Sequence, residues 1–176
     1  MRVAVTGTPG TGKTTATELL EPRLADRDDA LEVVHLNEVL DEEELYTEID
    51  ADRESKIADL DALAAWLDDR EDAVIESHLA HHFDADRVAV LRCQPVTLEQ
   101  RLLERGETRA KATENAESEA LDVILAEAVE EHGLESVYEI DTTDLAPEGV
   151  ADELEAVVAS DRKPSAGEVD FVGYLG

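Results

Sequence analysis

The sequence predicts an α/β protein in which a parallel five-stranded sheet lies between two layers of helices, a three-layer α/β/α arrangement. Short apolar runs rich in valine and isoleucine alternate with segments of helical periodicity. The strand candidates are apolar on both faces, which is typical of strands that helices cover on both sides. The chain of 176 residues has the length of one domain with a buried core.

Five strands and five helices follow from these patterns. The predicted strands are Arg2 to Thr6, Leu31 to Leu36, Ala73 to Glu76, Arg87 to Arg92 and Ser136 to Asp141. The predicted helices are Lys13 to Asp26, Arg53 to Asp68, Thr97 to Glu104, Ala116 to Glu131 and Glu148 to Ala159. Strands separated by helices in this way predict parallel pairing.

Two connections are longer than those usual in such a fold. Residues 37–57, NEVLDEEELYTEIDADRESKI, are expected to form two short helices or a helix and a loop. Residues 105–115, RGETRAKATEN, form a polar and basic stretch between two predicted helices. Long connections in compact domains are frequently binding loops or lids, so both are candidates for that role.

The charge balance is strongly acidic. Forty-five Asp and Glu residues stand against fifteen Lys and Arg residues, which gives a formal net charge of -30. High net charge with few aromatic residues is also typical of disorder, but 43% of the residues are hydrophobic and fall into ordered runs. In molar salt the Debye length is about 3 Å, so the self-repulsion is screened. The composition therefore indicates a folded protein from a salt-loving cytosol.

The same acidity bears on partners. Binding to a nucleic-acid backbone depends on clusters of Lys and Arg, so broad direct contact with nucleic acid is not expected. A basic protein suits this surface better as a partner.

Cysteine use and hydropathy indicate the compartment. The single Cys93 cannot form an internal disulfide, which favours a reducing interior, and its strand-like surroundings predict a small core residue. No apolar run approaches 18 residues, and MRVAVTG is too short for a signal peptide. A cytoplasmic protein without direct membrane contact is expected.

The strongest motif is a phosphate-binding loop. Gly7, Gly12, Lys13 and Thr14 have the spacing G-x4-G-K-T, between a predicted strand and a predicted helix. Glycines at this turn, including Gly10, allow successive backbone N–H groups to face phosphate oxygens, and the helix N-terminus adds positive potential. This context predicts a nucleotide site.

Each polar residue of the loop has an expected role. Lys13 is expected to reach the β- and γ-phosphates of the nucleotide. Thr14 is expected to ligate Mg²⁺, and Thr15 to hydrogen-bond the α-phosphate.

An acid and a histidine follow the third predicted strand in AVIESHLAHHF. Glu76 is placed to hold Mg²⁺ through water, as a Walker B acid does. His78 has two open interpretations, the orientation of an attacking water or structural packing. His81 and His82 are expected to be ordinary polar loop residues. A zinc site of the three histidines is disfavoured, because no cysteine or supporting acid has ligand spacing.

Cations cluster after the fourth strand. Arg105 and Arg109 flank Gly106 in a net-basic loop, and we expect them to contact phosphate when a lid closes. For Arg101, a phosphate contact and an exposed position on a helix face, paired with glutamates, fit equally well. Lys111 follows Arg109 by two positions in the sequence.

The residues leave several functions open. They support a nucleoside monophosphate kinase, an assembly factor driven by ATP hydrolysis, or a P-loop kinase of another small molecule. A switch GTPase is disfavoured because the chain has no Asn-Lys-x-Asp guanine motif.

Four segments together resemble a known family. They are TGTPGTGKTT, the ESH of Glu76 to His78, ERGETRAKATEN and ENAESEALDVILAEA. Over about residues 1 to 160 they look like adenylate kinase isoenzyme 6, an archaeal and eukaryotic-nuclear family of adenylate-kinase-like, ribosome-assembly ATPases. The resemblance implies the fold of P-loop nucleoside monophosphate kinases, with an NMP-binding segment at about residues 30–52 and a short lid at about 104–114.

The resemblance also assigns roles to residues. It implies ATP contacts at Gly10, Gly12, Lys13, Thr14, Thr15 and Arg105. It places Glu76 at the Walker B position, where the family more often has aspartate, and His78 at the position of a histidine tied to ATP hydrolysis. Lys13, Glu76, His78 and Arg105 are the expected catalytic residues. The NMP segment matches least well; Arg53 and Lys56 are its nearest cations, and no AMP-binding residue is assigned.

The activity and partners that the resemblance implies are specific. It implies ATP:AMP phosphotransfer and ATPase activity with Mg²⁺. It also implies binding to a small-subunit ribosomal protein of the S11 type during late rRNA maturation. Residues 161–176, here called the C-terminal tail, lie outside the resemblance. Three arrangements are open for this tail, whose apolar residues include Phe171 and Leu175: it folds back onto an apolar groove, contacts a partner or is loose, and the first two are favoured.

Overall fold

The computed structural model of this protein describes residues 1–52 and 55–176. The strands are β1 (Arg2–Gly7), β2 (Glu32–His35), β3 (Tyr46–Asp50), β4 (Ser55–Ala58), β5 (Ala73–Glu76), β6 (Arg87–Arg92) and β7 (Val137–Asp141). The helices are α1 (Lys13–Ala25), α2 (Leu36–Glu42), α3 (Leu60–Leu67), α4 (Pro95–Glu104), α5 (Arg109–Ala120), α6 (Val123–His132) and α7 (Pro147–Ala159). Short 3₁₀ turns occur at Ala80–His82, Leu134–Ser136 and Val172–Leu175.

The central sheet has the strand order β2-β5-β1-β6-β7, and all four neighbouring pairs are parallel. This confirms the predicted five-stranded parallel sheet, with strand boundaries that differ from the prediction by one residue or less. β1 is the middle strand, so the loop that follows it begins at the centre of the carboxyl edge. Ligands of open α/β sheets bind at this edge.

Alternation along β1 explains the two helical layers. Val3 and Val5 face a core that α1 and α7 complete with residues such as Leu20 and Leu154. Ala4, between them, faces a second core, which α2, α3 and α6 complete. Successive strand residues point to opposite faces, and both faces are apolar, so helices cover both. The α/β/α arrangement is confirmed.

The first long connection differs from the prediction. It contains α2 and then the antiparallel hairpin of β3 and β4, in place of two helices or a helix and a loop. The predicted helix from Arg53 to Asp68 is therefore wrong in its first half, and Arg53 itself lies outside the described residues. Helix α3 begins only at Leu60, because the Asp59 side chain accepts the N–H of Ala62 and caps the helix there.

The second long connection is mostly helical. Thr108 Oγ1 accepts the N–H of Lys111 at 3.2 Å, and this cap starts α5 at Arg109. Only residues 105–108 remain as a loop. The predicted helix from Ala116 to Glu131 is in fact the end of α5 and the whole of α6. They are divided at Asp122, whose φ of 55° cannot continue a right-handed helix.

Cys93 is fully buried directly after β6. It packs with Leu98 and Leu102 of α4 and with Ala112 of α5. Its expected role as a small core residue is confirmed. Burial raises the pKa of the thiol to about 11.

The C-terminal tail folds back onto the domain. The N–H of Ser165 donates to the Val137 carbonyl at 3.0 Å, and the N–H of Glu168 donates to Glu139 Oε2 at 2.8 Å. The attachment is largely polar, since Val172 remains more than half exposed. None of the helices in the described parts of the chain has the length and apolarity of a membrane span.

Candidate active site

The phosphate loop, residues 7–14, has a positive φ at Gly7, Gly10 and Gly12, and at two of these glycines a side chain would also meet neighbouring atoms. A Cβ on Gly7 would lie 2.5 Å from the Leu91 carbonyl oxygen, and Gly7 has a φ of 143°. A Cβ on Gly10 would lie 2.9 Å from the Leu98 side chain, at a φ of 93°. Neighbouring elements thus press against the back of the loop, and side chains there would displace it.

Lys13 is buried at the first position of α1. Its Nζ donates to the carbonyl oxygens of Gly7 at 2.8 Å and Thr8 at 3.1 Å. Burial lowers the pKa of Lys13 to about 8, although Glu76 and Glu119 act in the opposite direction. The ammonium group is therefore held inside the curve of the loop, where phosphate oxygens are stronger acceptors than these carbonyls.

Strand register brings the metal-ligand candidates together. His35, at the end of β2, lies beside Glu76, at the end of β5, which in turn lies beside Val5 of β1. Glu76 is 5% exposed. Its Oε1 accepts the Thr14 hydroxyl at 3.3 Å, and its Oε2 is 2.8 Å from His35 Nδ1. A hydroxyl and a carboxylate at this spacing are oxygen donors that fit Mg²⁺.

His78 lies two residues beyond Glu76 and lines the same cleft. Burial lowers the pKa of His78 to about 4, and the nearby Lys13 charge adds to this effect. The ring is thus neutral at pH 7, as a hydrogen-bond acceptor for water must be. Its role in hydrolysis stays a prediction.

The phosphate loop forms the floor of a cleft of about 870 Å³. One wall carries Asn37, Glu76 and His78, which follow β2 and β5. The opposite side, formed after β6 and β7, carries the apolar Leu145 and Pro147 around the start of α7 and also the charged Arg101 and Arg105. The cleft therefore offers an apolar patch with cations on one side and polar groups on the other to a ligand that spans the loop.

The arginines of the predicted lid, residues 104–114, are placed differently from one another. Arg105 is exposed and lines the cleft together with Arg101. Arg101 also donates to the carbonyl oxygens of Thr142 and Thr143, at 3.1 and 3.2 Å, so it is fixed to the loop after β7. Arg109 is the exposed first residue of α5 and is not part of the cleft wall, because the cap at Thr108 turns the chain into a helix there.

Lys56, which lies just beyond the predicted NMP segment at about residues 30–52, is already paired with an acid. Lys56 Nζ is 2.6 Å from Asp41 Oδ1 and lies 4.7 Å from the centre of the Tyr46 ring. Arg53, the other cation named from the sequence, lies outside the described residues. An acceptor site on this segment stays a prediction.

Four residues of the site were not anticipated. His35 orients Glu76, and Asn37 accepts the Ser77 hydroxyl at 2.8 Å. Thr142 donates to the Thr11 carbonyl at 2.9 Å, and Glu119 accepts the Thr8 hydroxyl. Each lies far from the loop in sequence. Only His35 carried a partial signal, since it lies at the penultimate position of the predicted strand Leu31 to Leu36; the pairing of that strand with the strand of Glu76 comes from the structure.

The structure corrects the interpretation of His81. This residue was expected to be a polar loop residue, but it is 1% exposed. Its Nδ1 is 2.8 Å from Thr6 Oγ1, and its Nε2 is 2.9 Å from Glu127 Oε2. The turn Ala80–His82 packs against α6, which the sequence did not reveal. His82 is partly exposed and contacts Glu131.

Comparison with known proteins agrees with this site. The family described as "AAA domain" matches residues 3–122, which is more than half of the chain. The chain belongs to this family.

Close relatives are archaeal proteins with a common name. The one from Natronomonas pharaonis, named "Putative adenylate kinase", is 61% identical over 99% of this chain and 100% of its own length. A protein of the same name from Halobacterium salinarum is 56% identical over 99% of this chain and 100% of its own length. Another, from Methanosarcina acetivorans, is 41% identical over 91% of this chain and 87% of its own length. The chain belongs to the family of these relatives, and the first two organisms are halophilic archaea.

Solved structures show the same fold at low identity. Shikimate kinase from Bacteroides thetaiotaomicron has a TM-score of 0.59 and 17% identity, covering 90% of this chain and 98% of its own. Deoxyadenosine kinase from M. mycoides with bound dATP has a TM-score of 0.51 and 11% identity, covering 90% and 100%. The fold is therefore that of P-loop kinases. With the family and the phosphate loop, this supports a nucleotide kinase.

Proposed function

We propose that this protein is an adenylate kinase of the isoenzyme 6 type, which transfers the γ-phosphoryl group of ATP to AMP and also hydrolyses ATP. The observation that carries the proposal is the convergence of Lys13, Thr14 and Glu76 at the floor of a cleft that has an apolar patch on one side and polar groups on the other. The apolar patch at Leu145 and Pro147 suits a nucleoside base. The polar wall, with Asn37 and His78, suits the acceptor or a water molecule.

The roles of the residues follow from their chemistry. Lys13 exchanges its contacts with the Gly7 and Thr8 carbonyls for contacts with phosphate oxygens, which are charged and accept more strongly. Thr14 and Glu76 would hold Mg²⁺, which neutralises charge on the β- and γ-phosphates when bound. Arg105, which is exposed and lines the cleft, adds positive charge when the lid covers the phosphates.

The choice between acceptors depends on His78. A neutral imidazole beside the metal-binding acid can accept a hydrogen bond from water and orient it toward the γ-phosphate. When AMP occupies the polar wall, it displaces that water. One site would then support both phosphotransfer and hydrolysis.

The test is a coupled assay in molar KCl that compares ATP alone with ATP plus each of AMP, CMP, GMP and UMP. The proposal expects ADP formation that AMP stimulates far more than the other monophosphates, and slower phosphate release with ATP alone. Phosphate release without any effect of AMP would leave an ATPase only. If none of the four monophosphates accepts a phosphoryl group and ATP alone is not hydrolysed, the result would favour the alternative, a P-loop kinase of another small molecule without a ribosomal role.

We also propose that the protein acts in small-subunit ribosome biogenesis and rRNA maturation by transiently binding a ribosomal protein of the S11 type. The resemblance supports this, and so does a net charge of -30, which favours a basic partner. Titration of labelled S11-type protein in molar KCl should show binding that changes between ADP and ATP. Another ribosomal protein of similar positive charge is the control, and equal binding of both would contradict a specific role.

A further inference from the structure

A second group of metal-ligand side chains lies apart from the nucleotide cleft. His81 and His82 belong to the turn Ala80–His82, and Glu127 belongs to the facing helix α6. One ligand atom from each residue lies within 4.8 Å of the others, and among residues 1–52 and 55–176 no other group of three such side chains is arranged in this way. None of these residues lines the cleft.

The distances approach those of a metal site. Glu127 Oε2 is 2.9 Å from His81 Nε2 and 4.0 Å from His82 Nε2. Ligands about 2.1 Å from a tetrahedral zinc ion are about 3.4 Å from one another. The two observed distances lie on either side of that value. The third pair of ligand atoms, those of His81 and His82, is no more than 4.8 Å apart. The partly exposed His82 and Glu127 side chains can rotate to bring the three atoms closer to the spacing of tetrahedral ligands.

Both rings are held by a partner at the nitrogen that does not face Glu127. His81 Nδ1 is 2.8 Å from Thr6 Oγ1, and the Thr6 hydroxyl is within hydrogen-bond distance, 3.3 Å, of the His78 carbonyl. When Thr6 donates to that carbonyl, it accepts from Nδ1–H of His81 and leaves Nε2 as a ligand. His82 Nδ1 is 2.8 Å from Glu131 Oε1. Such outer partners commonly fix the tautomer and direction of metal-ligating histidines.

The three side chains differ in burial, and two of them are accessible from solvent. The His81 side chain is 1% exposed, His82 is 25% exposed and Glu127 is 43% exposed. One ligand is thus fixed in the core, and two lie toward the surface on the side from which an ion would enter. A fourth coordination position on that side is open to water.

We propose that His81, His82 and Glu127 bind one divalent transition-metal ion of the zinc type, distinct from the Mg²⁺ of the nucleotide. Two imidazoles and one carboxylate are a ligand set that suits such ions. The ion would take the place of the close contact between His81 Nε2 and Glu127, with the His81 proton on Nδ1, and would tie the turn after β5 to α6.

The test is direct metal binding to the full chain in molar KCl after removal of trace metal. Zn²⁺ is titrated against a chromophoric chelator, and Co²⁺ binding is followed by its visible absorption. The variants are His82→Gln and Glu127→Gln, and Glu130→Gln on the same helix is the matched control. All are made in both the natural chain and a Glu76→Gln background, which removes competition from the nucleotide site.

The proposal expects one equivalent of Zn²⁺ in the natural chain, in the Glu76→Gln background and in Glu130→Gln. It expects at least about tenfold weaker binding in His82→Gln and Glu127→Gln, with loss of the Co²⁺ band. Circular dichroism of each variant shows that it is folded. No bound ion in the natural chain, or equal affinity in Glu127→Gln and Glu130→Gln, would overturn the proposal.

Discussion

The Thr8 hydroxyl donates a hydrogen bond of 2.6 Å to Oε2 of Glu119 and so joins the phosphate loop to a buried group of charges. The other oxygen of Glu119 accepts Arg92 Nε at 2.8 Å and the N–H of Cys93 at 3.0 Å. Arg92 also pairs with Glu139, whose Oε2 accepts two N–H groups of the C-terminal tail. The loop, α5, the end of β6 and the tail are therefore held by one network.

This network predicts a large effect of Arg92 on stability. Arg92→Ala leaves Glu119 and Glu139, both nearly inaccessible, without their shared counter-charge. Breaking a buried pair in this way costs about 3–5 kcal/mol, so the free energy of unfolding should fall by about that amount. Denaturant unfolding in molar KCl measures it. Arg23→Ala, which breaks pairs with the more exposed Asp152 and Glu155, is the control and should change stability far less. Similar losses in both variants would contradict the buried network.

Removal of the loop lysine tests the nucleotide site. Lys13→Ala deletes the buried ammonium group that faces the loop carbonyls, and we expect both phosphotransfer and hydrolysis to fall by at least about 100-fold, as for loss of a group that stabilises transition-state charge. Lys163→Ala, at an exposed position of the tail, is the control and should keep full activity. Substantial turnover in the Lys13 variant would exclude the assigned site.

His78 should separate the two reactions. His78→Ala removes a neutral ring that can orient water but leaves Lys13 and Glu76 in place, so ATP hydrolysis should fall about 100-fold, a typical loss for a water-positioning group. ADP formation from ATP and AMP should fall much less. Both rates are measured on the same preparation. An equal loss in the two assays would indicate that His78 only packs against the site.

His35 should affect the metal rather than the nucleotide. His35→Ala removes the partner that holds Glu76 Oε2 at 2.8 Å, and loss of such an outer partner typically weakens metal binding about 10- to 100-fold. The Mg²⁺ concentration for half-maximal activity at saturating ATP should therefore rise at least about tenfold. Glu32→Gln, at the other end of β2, is the control. An unchanged Mg²⁺ dependence in His35→Ala would show that the hydrogen bond does not orient the carboxylate.

Cys93 should be unreactive in the folded protein. With a pKa raised to about 11 by burial, roughly one thiol in a thousand is ionised at pH 8, and the sulfur is also inaccessible. Ellman's reagent should modify the native chain only at the rate of its unfolding and should modify the denatured chain at once. The raised pKa also makes the stability depend on pH. Above pH 9 the unfolded chain loses the Cys93 proton while the folded state retains it, so the free energy of unfolding should decline between about pH 9 and 11. Rapid modification of the native thiol would contradict its burial.

Local patterns predicted most of the sheet, but the elements predicted between β2 and β5 were partly wrong. The buried strands β5 and β6 have the predicted boundaries, because apolar runs on both faces of a sheet are visible in the sequence. The sequence predicts one helix from Arg53 to Asp68, but the structure has β4 at Ser55–Ala58 and begins α3 only at Leu60. The hairpin of β3 and β4 depends on pairing between two short strands, which neither strand specifies alone.

The sequence by itself determined the phosphate loop, the acid that ends β5 and the strongly acidic surface, because a loop motif, a strand end and a composition are all local properties. Only the tertiary structure decided that His35 orients Glu76, that Glu119 supports Thr8 and that His81 and His82 meet Glu127. These contacts join residues between 41 and 111 positions apart in the chain. They exist because parallel strands align their carboxyl ends at one edge and because α5 and α6 pack across the sheet. The spacing of these residues along the chain therefore does not predict their contacts.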